Sequence, residues 1–232
     1  LAVMRTYDRA VMLLPTWIIY GLWLVAAGAT LSGVLANDLV AAALNGGRTI
    51  VFFRTKARAH RARILFGLAR LPPAAELHGD LTQAQRLEAL ERFRRGDAAF
   101  LLATDVASRG LDIPDVRAVV NADCPRTLET YLHRVGRTAR AGKDGAAVTL
   151  ADDADKALLK AVVRRAGASL RQRALPAASV AAWHAKIERL DPDVRRVLDE
   201  ERHEASLRRA EMEAQKAANL LEHEDEIAAR PA

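Results

Sequence analysis

The sequence has few of the residues that hold disulfide-rich or zinc-stabilised folds together. Cys124 is the single cysteine in 232 residues, so an internal disulfide is excluded and a reducing compartment is expected. The six histidines are scattered along the chain without metal-ligand spacing, so we expect no metal site. The fold must therefore depend on an ordinary hydrophobic core, which a chain of this length can bury.

Charged residues are absent from Ala10 to Asn37, and this run is longer than the roughly 20 apolar residues that cross a bilayer. Trp17, Tyr20 and Trp23 lie inside the run, whereas the aromatic residues of membrane spans gather at both edges. Three interpretations stay open: a membrane anchor, an apolar helix packed on the domain, and sequence that does not belong to the mature protein.

The chain as a whole is basic, with a formal net charge of +6 and a pI near 9.9. A positive surface favours a polyanionic partner, which nucleic acid and anionic membranes both provide. Composition therefore indicates a class of partner without choosing between these two.

Short apolar runs alternate with amphipathic segments after Asn37, a pattern typical of a parallel sheet covered by helices. We predict a doubly wound α/β domain over residues 36–168, between an apolar segment at 1–35 and a helical, charged extension at 169–232. Residues 176–190 predict one helix, and Asp191, Pro192 and Asp193 resemble the start of a long final helix that runs to about residue 227, with a broken apolar stripe that includes Val194, Leu207 and Met212. The predicted strands are 49–53, 74–78, 100–103, 118–120 and 146–150, and the predicted helices of the domain are 38–44, 56–68, 81–95, 128–140 and 155–165. In the helix 81–95 we expect Leu87, Leu90 and Phe93 to face inward.

Ligands of such folds bind at the carboxyl ends of the strands, and two polar segments are candidates for this edge. In YLHRVGRTAR, residues 131–140, a helix would place His133, Arg137 and Arg140 on one face. Guanidinium groups gathered there can stabilise a transferring phosphoryl group, although a solvated basic helix would have the same pattern.

The second segment follows the predicted strand 100–103. Thr104 offers a hydroxyl, Arg109 a phosphate-binding fork, and Gly110 permits close approach of a backbone. Asp112 can accept a hydrogen bond from a ribose hydroxyl. Taken singly, Asp105 and Asp112 are more often loop caps than functional carboxylates.

Together these segments resemble the DEAD-box helicases. TDVASRGLD is similar to motif V of that family and HRVGRTAR to motif VI, and IVFFRT and HGDLTQAQR are similar to motif IV and the QxxR element. Four ordered motifs form a specific signal that covers about residues 36–168. The resemblance implies a RecA-like doubly wound parallel sheet with an α-helical C-terminal extension.

The resemblance also implies roles for individual residues. Arg137 and Arg140 would act as arginine fingers on the γ-phosphate of ATP, and Gly110 and Asp112 would contact the nucleotide. His133 and Arg134 would couple the ATP and RNA sites. The residues implied to contact the RNA sugar-phosphate backbone are Arg54, Thr55, Gln83, Arg86, Thr104 and Arg109.

The extension resembles the tail of the nucleolar DEAD-box subgroup that serves large ribosomal subunit assembly, through KIER at 186–189 and the run from Ala210 to Pro231. This likeness implies pre-ribosomal RNA as substrate, the nucleus and nucleolus as location, and a protein partner for the terminal helix. Membrane association is the alternative if residues 10–37 are a true span. Without a family in view, the composition of the tail favours an exposed charged helix over a dedicated docking helix.

No Walker A loop or Asp-Glu-Ala-Asp sequence occurs, so ATP with Mg²⁺ would bind mainly to an N-terminal RecA-like domain that this sequence lacks. Leu1 instead of an initiator Met agrees with missing upstream sequence. We therefore expect this fragment alone to be inactive. The alternatives are a non-catalytic RecA-like module that binds RNA or protein, and a membrane-tethered scaffold.

Overall fold

The computed structural model describes residues 19–23, 48–105, 113, 116–139, 145–166, 171–173 and 177–222. Within these residues, seven parallel strands form one sheet in the order β3-β4-β2-β5-β6-β1-β7. Each strand joins the next through a crossover, because parallel neighbours cannot be linked by a hairpin. The strands are β1 Ile19–Trp23, β2 Thr49–Phe52, β3 Ala74–Leu77, β4 Phe100–Ala103, β5 Ala118–Asn121, β6 Ala146–Ala151 and β7 Arg171–Arg173.

The prediction of a doubly wound parallel sheet is confirmed, and five strands lie within one or two residues of their predicted bounds. Two strands were not predicted. β1 lies inside the uncharged run and pairs with β6 and β7, so these five residues do not form the apolar helix that was one interpretation of the run. β7 lies in the extension, which was expected to contain helices alone. The predicted helix 38–44 is outside the described residues.

Both faces of the sheet are covered, as the continuous apolar strands predict. β2 and β4 are buried at every position. One face packs against Leu90 and Phe93, which belong to the largest described core cluster. On the other face, the rings of Phe66 and Phe100 meet edge to face with centroids 5.2 Å apart. The helices are α1 Lys56–Leu68, α2 Gln83–Arg95, α3 Leu128–Val135, α4 Lys156–Ala166 and α5 Ala177–Glu222.

Local signals set the ends of α2. Thr82 caps its start by a reciprocal capping box, in which the Thr82 hydroxyl accepts from Gln85 N at 3.3 Å and Thr82 N donates to Gln85 Oε1 at 2.9 Å. Gly96 ends the helix in the left-handed region, with φ 87°. The predicted inward face is correct for Leu90 and Phe93 and wrong for Leu87, which is 55% exposed.

α5 corrects the prediction of two separate C-terminal helices. It continues through Pro192, so Asp191 does not begin a new helix but pairs with Arg195 one turn later, Nη2 to Oδ2 at 2.6 Å. The chain divides into two compact units, Leu1–Leu190 and Asp191–Ala232. In the second unit, the predicted apolar stripe is buried at Val194 but exposed at Leu207 and Met212, which are 50% and 68% exposed.

The part of the chain that the structure describes contains no helix long and apolar enough to cross a bilayer.

The capping box makes the stability of α2 testable. Thr82→Ala removes the hydroxyl that accepts from Gln85 N, while the Thr82 N–H to Gln85 Oε1 bond can remain, and is expected to lower the free energy of unfolding by about 1 kcal/mol. Urea denaturation measures the change. Glu88→Ala, at an exposed position of the same helix, serves as control and should change stability by less than about 0.5 kcal/mol. Equal effects of the two substitutions would show that the cap does not stabilise the helix.

Candidate functional site at the carboxyl edge of the sheet

The carboxyl ends of three neighbouring strands lie side by side. Phe52, the last residue of β2, is in register with Ala103 of β4 on one side and with Asn121 of β5 on the other. The polar residues that follow these strands therefore emerge at one edge. In open α/β sheets this edge is where ligands bind.

A buried ion pair joins the two segments that carry the predicted functional residues. Arg134 of α3 donates from Nε to Asp105 Oδ1 at 2.6 Å and from Nη2 to Asp105 Oδ2 at 2.8 Å. The Arg134 side chain is 4% exposed and that of Asp105 is 31% exposed. Such a bidentate contact fixes both the distance and the relative orientation of the two side chains. The structure therefore places the turn after β4 against the helix of the YLHRVGRTAR segment.

The other terminal nitrogen of Arg134 makes two further hydrogen bonds. Nη1 donates to Asn121 Oδ1 at 3.0 Å and to the carbonyl oxygen of Asp123 at 2.8 Å. The guanidinium carbon lies 5.0 Å from the centre of the Phe52 ring, within cation–π range. Since a buried charge is costly unless it is paired and hydrogen-bonded, these contacts explain how this arginine can be buried.

Asp123 extends this network to the end of β2. One carboxylate oxygen accepts from Arg54 N at 2.9 Å, and the other contacts Nη1 of Arg58 in α1. Asn121 Nδ2 donates to Thr149 Oγ1 of β6 at 2.9 Å. The network thus connects the segments after β2, β4 and β5 with α3 and β6.

The sequence predicts that Arg137 shares a helical face with His133, but the structure does not place it there. α3 ends at Val135 with Gly136 as its cap, so Arg137 follows the helix and its Nε donates to the His133 carbonyl oxygen at 3.2 Å. His133 is exposed and Arg137 is partly exposed. Arg140 lies outside the described residues.

The inward face of α3 also differs from the prediction. Leu132, expected to face the core, is 40% exposed, whereas Tyr131 and Arg134 are buried. Val135 packs against the core as expected. The reason is that the ion pair with Asp105 turns Arg134 inward and rotates the apolar stripe.

Thr138, near the end of the YLHRVGRTAR segment, contacts the chain just before β5 and just before β6. The Thr138 hydroxyl lies 2.7 Å from the Val116 carbonyl oxygen and 3.1 Å from that of Arg117. A Cβ on Gly145 would lie 2.3 Å from the Thr138 hydroxyl oxygen, so only glycine allows the chain to approach so closely where β6 begins. Arg137 is therefore held between two fixed points, α3 and Thr138.

Four residues predicted to contact RNA lie where α1 and α2 begin. Arg54 and Thr55 are exposed, and Thr55 caps α1 by accepting from Arg58 N at 3.3 Å. Gln83 is the exposed first residue of α2, and Arg86 Nη2 donates to the Gly79 carbonyl oxygen at 3.0 Å.

An ion pair brings these two helix starts together. Lys56 Nζ of α1 lies 2.7 Å from Asp80 Oδ2 in the turn before α2. Thr104 is 8% exposed, and its N–H donates to the Leu77 carbonyl oxygen at 3.1 Å. Arg109, Gly110 and Asp112 lie outside the described residues.

Sequence reasoning missed the polar residues that organise this edge. The pattern favours a loop cap for Asp105 and indicates no role for Asn121 and Asp123. One signal was available: Asn121 and Asp123 come at the end of the apolar run 118–120, the carboxyl end of a predicted strand, where ligands of such folds bind. Nothing in the sequence identifies Arg134 as the shared partner, because its contacts come from distant positions in the chain.

The sequence of this chain is similar to those of known proteins. The family described as Helicase conserved C-terminal domain matches residues 34–142. DEAD-box ATP-dependent RNA helicase 28 of Arabidopsis thaliana is 53% identical over 184 residues, which are 79% of this chain and 23% of that protein. ATP-dependent RNA helicase DRS1 of Pyricularia oryzae is 50% identical over 187 residues, 79% of this chain and 24% of that protein. The chain thus spans about a quarter of the length of these relatives.

Solved structures show the same fold. Escherichia coli DEAD-box protein SrmB, bound to regulator of ribonuclease activity A, is 38% identical with a TM-score of 0.56, covering 65% of this chain and 87% of that one. Saccharomyces cerevisiae Dbp5, bound to RNA and ADP BeF3, is 31% identical with a TM-score of 0.57, covering 67% of this chain and 41% of that one. The chain therefore belongs to the DEAD-box family of ATP-dependent RNA helicases, whose conserved C-terminal domain it contains.

Proposed function

We propose that this chain is the C-terminal half of an ATP-dependent RNA helicase, which binds the RNA backbone and supplies Arg137 and Arg140 to the γ-phosphate of ATP. The N-terminal RecA-like domain of the same protein supplies the phosphate-binding loop and the Mg²⁺ ligands. Closure of the two halves on ATP and RNA brings the arginines to the nucleotide and bends one RNA strand. In this proposal residues 36–168 are the helicase domain and 169–232 its extension.

The observation that supports the proposal most directly is the bidentate ion pair between Arg134 and Asp105. It joins the Arg137 segment to the turn that leads to Gly110 and Asp112, so one edge of the sheet can present both sets of residues to one nucleotide. In this arrangement Arg134 is a positioning residue, because its guanidinium is occupied by protein groups. Its coupling role would follow from holding the two segments in place.

The proposed RNA surface runs along the starts of α1 and α2. Exposed Arg54, Thr55 and Gln83 lie beside backbone N–H groups at two helix N-termini, which attract phosphates. Contacts to sugar and phosphate carry no base information, so we expect little sequence specificity.

We further propose that the full-length protein acts on pre-ribosomal RNA in large ribosomal subunit assembly, in the nucleolus. Support comes from the resemblance of the extension to that subgroup. The similarity to the DRS1 helicase also extends well beyond the 34–142 stretch matched by the general helicase family. The exposed face of the extension helix is where a protein partner would bind.

The arginine-finger role is tested by complementation in trans. A separately expressed DEAD-box N-terminal half is mixed with this chain, and RNA-stimulated ATP hydrolysis is measured. Arg137→Ala is expected to lower turnover about a thousandfold or more, since the charge on the transferring phosphoryl group loses its partner. Arg164→Ala, at an exposed arginine of α4, is the matched control and should keep full activity. Equal turnover of the Arg137→Ala and unmodified chains would exclude the finger role.

The RNA surface is tested by the salt dependence of binding. Arg54→Ala is expected to weaken binding of single-stranded RNA and to reduce the slope of log K against log salt concentration by about 0.7, because one phosphate contact is lost. Fluorescence anisotropy at several salt concentrations measures the slope. Arg95→Ala removes the same charge at the opposite end of α2 and should leave the slope unchanged. Identical slopes for all three chains would contradict the proposed surface.

A further inference from the structure

Three potential metal ligands meet at the outer edge of the sheet, away from the Arg134 network. His60 lies on α1, Glu76 on β3, and His78 directly follows β3. His60 Nδ1 lies 2.9 Å from Glu76 Oε2, and His78 Nε2 lies 3.5 Å from the same oxygen. One ligand atom from each residue lies within 4.8 Å of the others. The two imidazoles thus converge on one carboxylate oxygen.

His78 is the member that protein contacts leave unexplained. Its side chain is 8% exposed, and within the described part of the chain neither ring nitrogen has a hydrogen-bond partner. Buried polar groups are normally satisfied, and an unsatisfied one is destabilising. A ligand that uses the Nε2 lone pair would satisfy that nitrogen.

Glu76 is ready to act as a ligand. Arg63 Nε lies 3.2 Å from Oε1 and so supports the oxygen that the imidazoles do not approach. An outer partner of this kind commonly orients a metal-binding carboxylate.

We propose that His60, Glu76 and His78 bind a divalent transition-metal ion, with Zn²⁺ as the best fit and water as the fourth ligand. Tetrahedral Zn²⁺ with bonds of about 2.0–2.1 Å separates its ligand atoms by about 3.3 Å, close to the 2.9 and 3.5 Å observed. Two nitrogen donors and one carboxylate favour Zn²⁺ over Mg²⁺ or Ca²⁺, which prefer oxygen ligands.

An ordinary ion-pair cluster around Glu76 is the competing explanation, but it leaves the buried ring nitrogens of His78 without a hydrogen bond, with Nε2 3.5 Å from Glu76 Oε2. The ligands come from α1 and from both sides of Leu77, so the fold brings them together although the sequence has no zinc-finger spacing. Cys124 takes no part, because burial raises the pKa of its thiol and keeps it protonated.

A bound ion would fix the path of the chain just before Gly79 and Asp80. These residues lead into α2, where Gln83 and Arg86 begin the proposed RNA surface. The proposed metal site lies beside the proposed RNA surface, and metal binding does not depend on ATP turnover.

The site is tested with the untagged full chain and two metal probes. Co²⁺ is titrated into the metal-free chain and its visible absorption is recorded, and Zn²⁺ is then added in competition while isothermal titration calorimetry gives its affinity. We expect one Co²⁺ per chain with the intense bands of tetrahedral coordination, and displacement by Zn²⁺. His60→Ala and Glu76→Gln should each weaken Zn²⁺ binding at least about tenfold, the smallest loss expected when even an outer partner of a metal is removed.

His184→Ala is the matched control. It removes a histidine that faces a carboxylate, with Nε2 3.4 Å from Glu188 Oε1, but on an exposed helix face. The His184→Ala variant should bind Zn²⁺ with the same affinity as the unmodified chain. Circular dichroism confirms folding, and His60→Gln replaces His60→Ala if the latter unfolds. The proposal is overturned if the unmodified chain forms no one-to-one complex, or if the cluster variants bind Zn²⁺ as tightly as the control.

Discussion

The site depends on burying one positive charge. The Arg134 guanidinium is almost completely removed from water, and it can stay charged there because Asp105, Asn121 and the Asp123 carbonyl oxygen occupy its donors. Removing any one partner would leave a buried group unsatisfied. This requirement fixes the turn after β4, the end of β5 and α3 relative to one another.

The positions of the other candidate residues follow from this constraint. Because Arg134 points inward, Leu132 points outward, and Arg137 follows one turn later, just past the end of the helix. Thr138 and Gly145 then hold the chain against the start of β6. In the proposed function, an arginine held in this way would lose little conformational freedom on binding a phosphate, as catalysis by charge stabilisation requires.

Much of the fold could be predicted because its signals are local. The apolar runs of β2 and β4, the Thr82 cap and Gly96 each depend on a few neighbouring residues, and the predicted bounds of β4 and α1 match the structure. The errors have long-range causes. Leu87 and Leu132 fit a helical stripe but are exposed, and α5 continues through Pro192, where a break was expected.

In the candidate site, too, local features could be predicted from the sequence and long-range contacts could not. Thr104 directly follows β4, and Arg134 lies in the predicted helix and contacts Asp105 after the same strand. The partnership of Arg134 with Asp105, and of His60 with Glu76 and His78, could not be predicted, since each joins residues from different elements. The functional roles of these residues stay predictions until they are tested.

The most direct test of the central claim is a double-mutant cycle between Asp105 and Arg134, read as the free energy of unfolding in urea. The chains compared are the unmodified protein, Asp105→Asn, Arg134→Lys and the double variant. A joined pair predicts a coupling energy between about 1 and 3 kcal/mol, with the double variant losing little more than either single variant. Additive losses within about 0.5 kcal/mol would show that the two segments do not depend on this contact and would contradict the account.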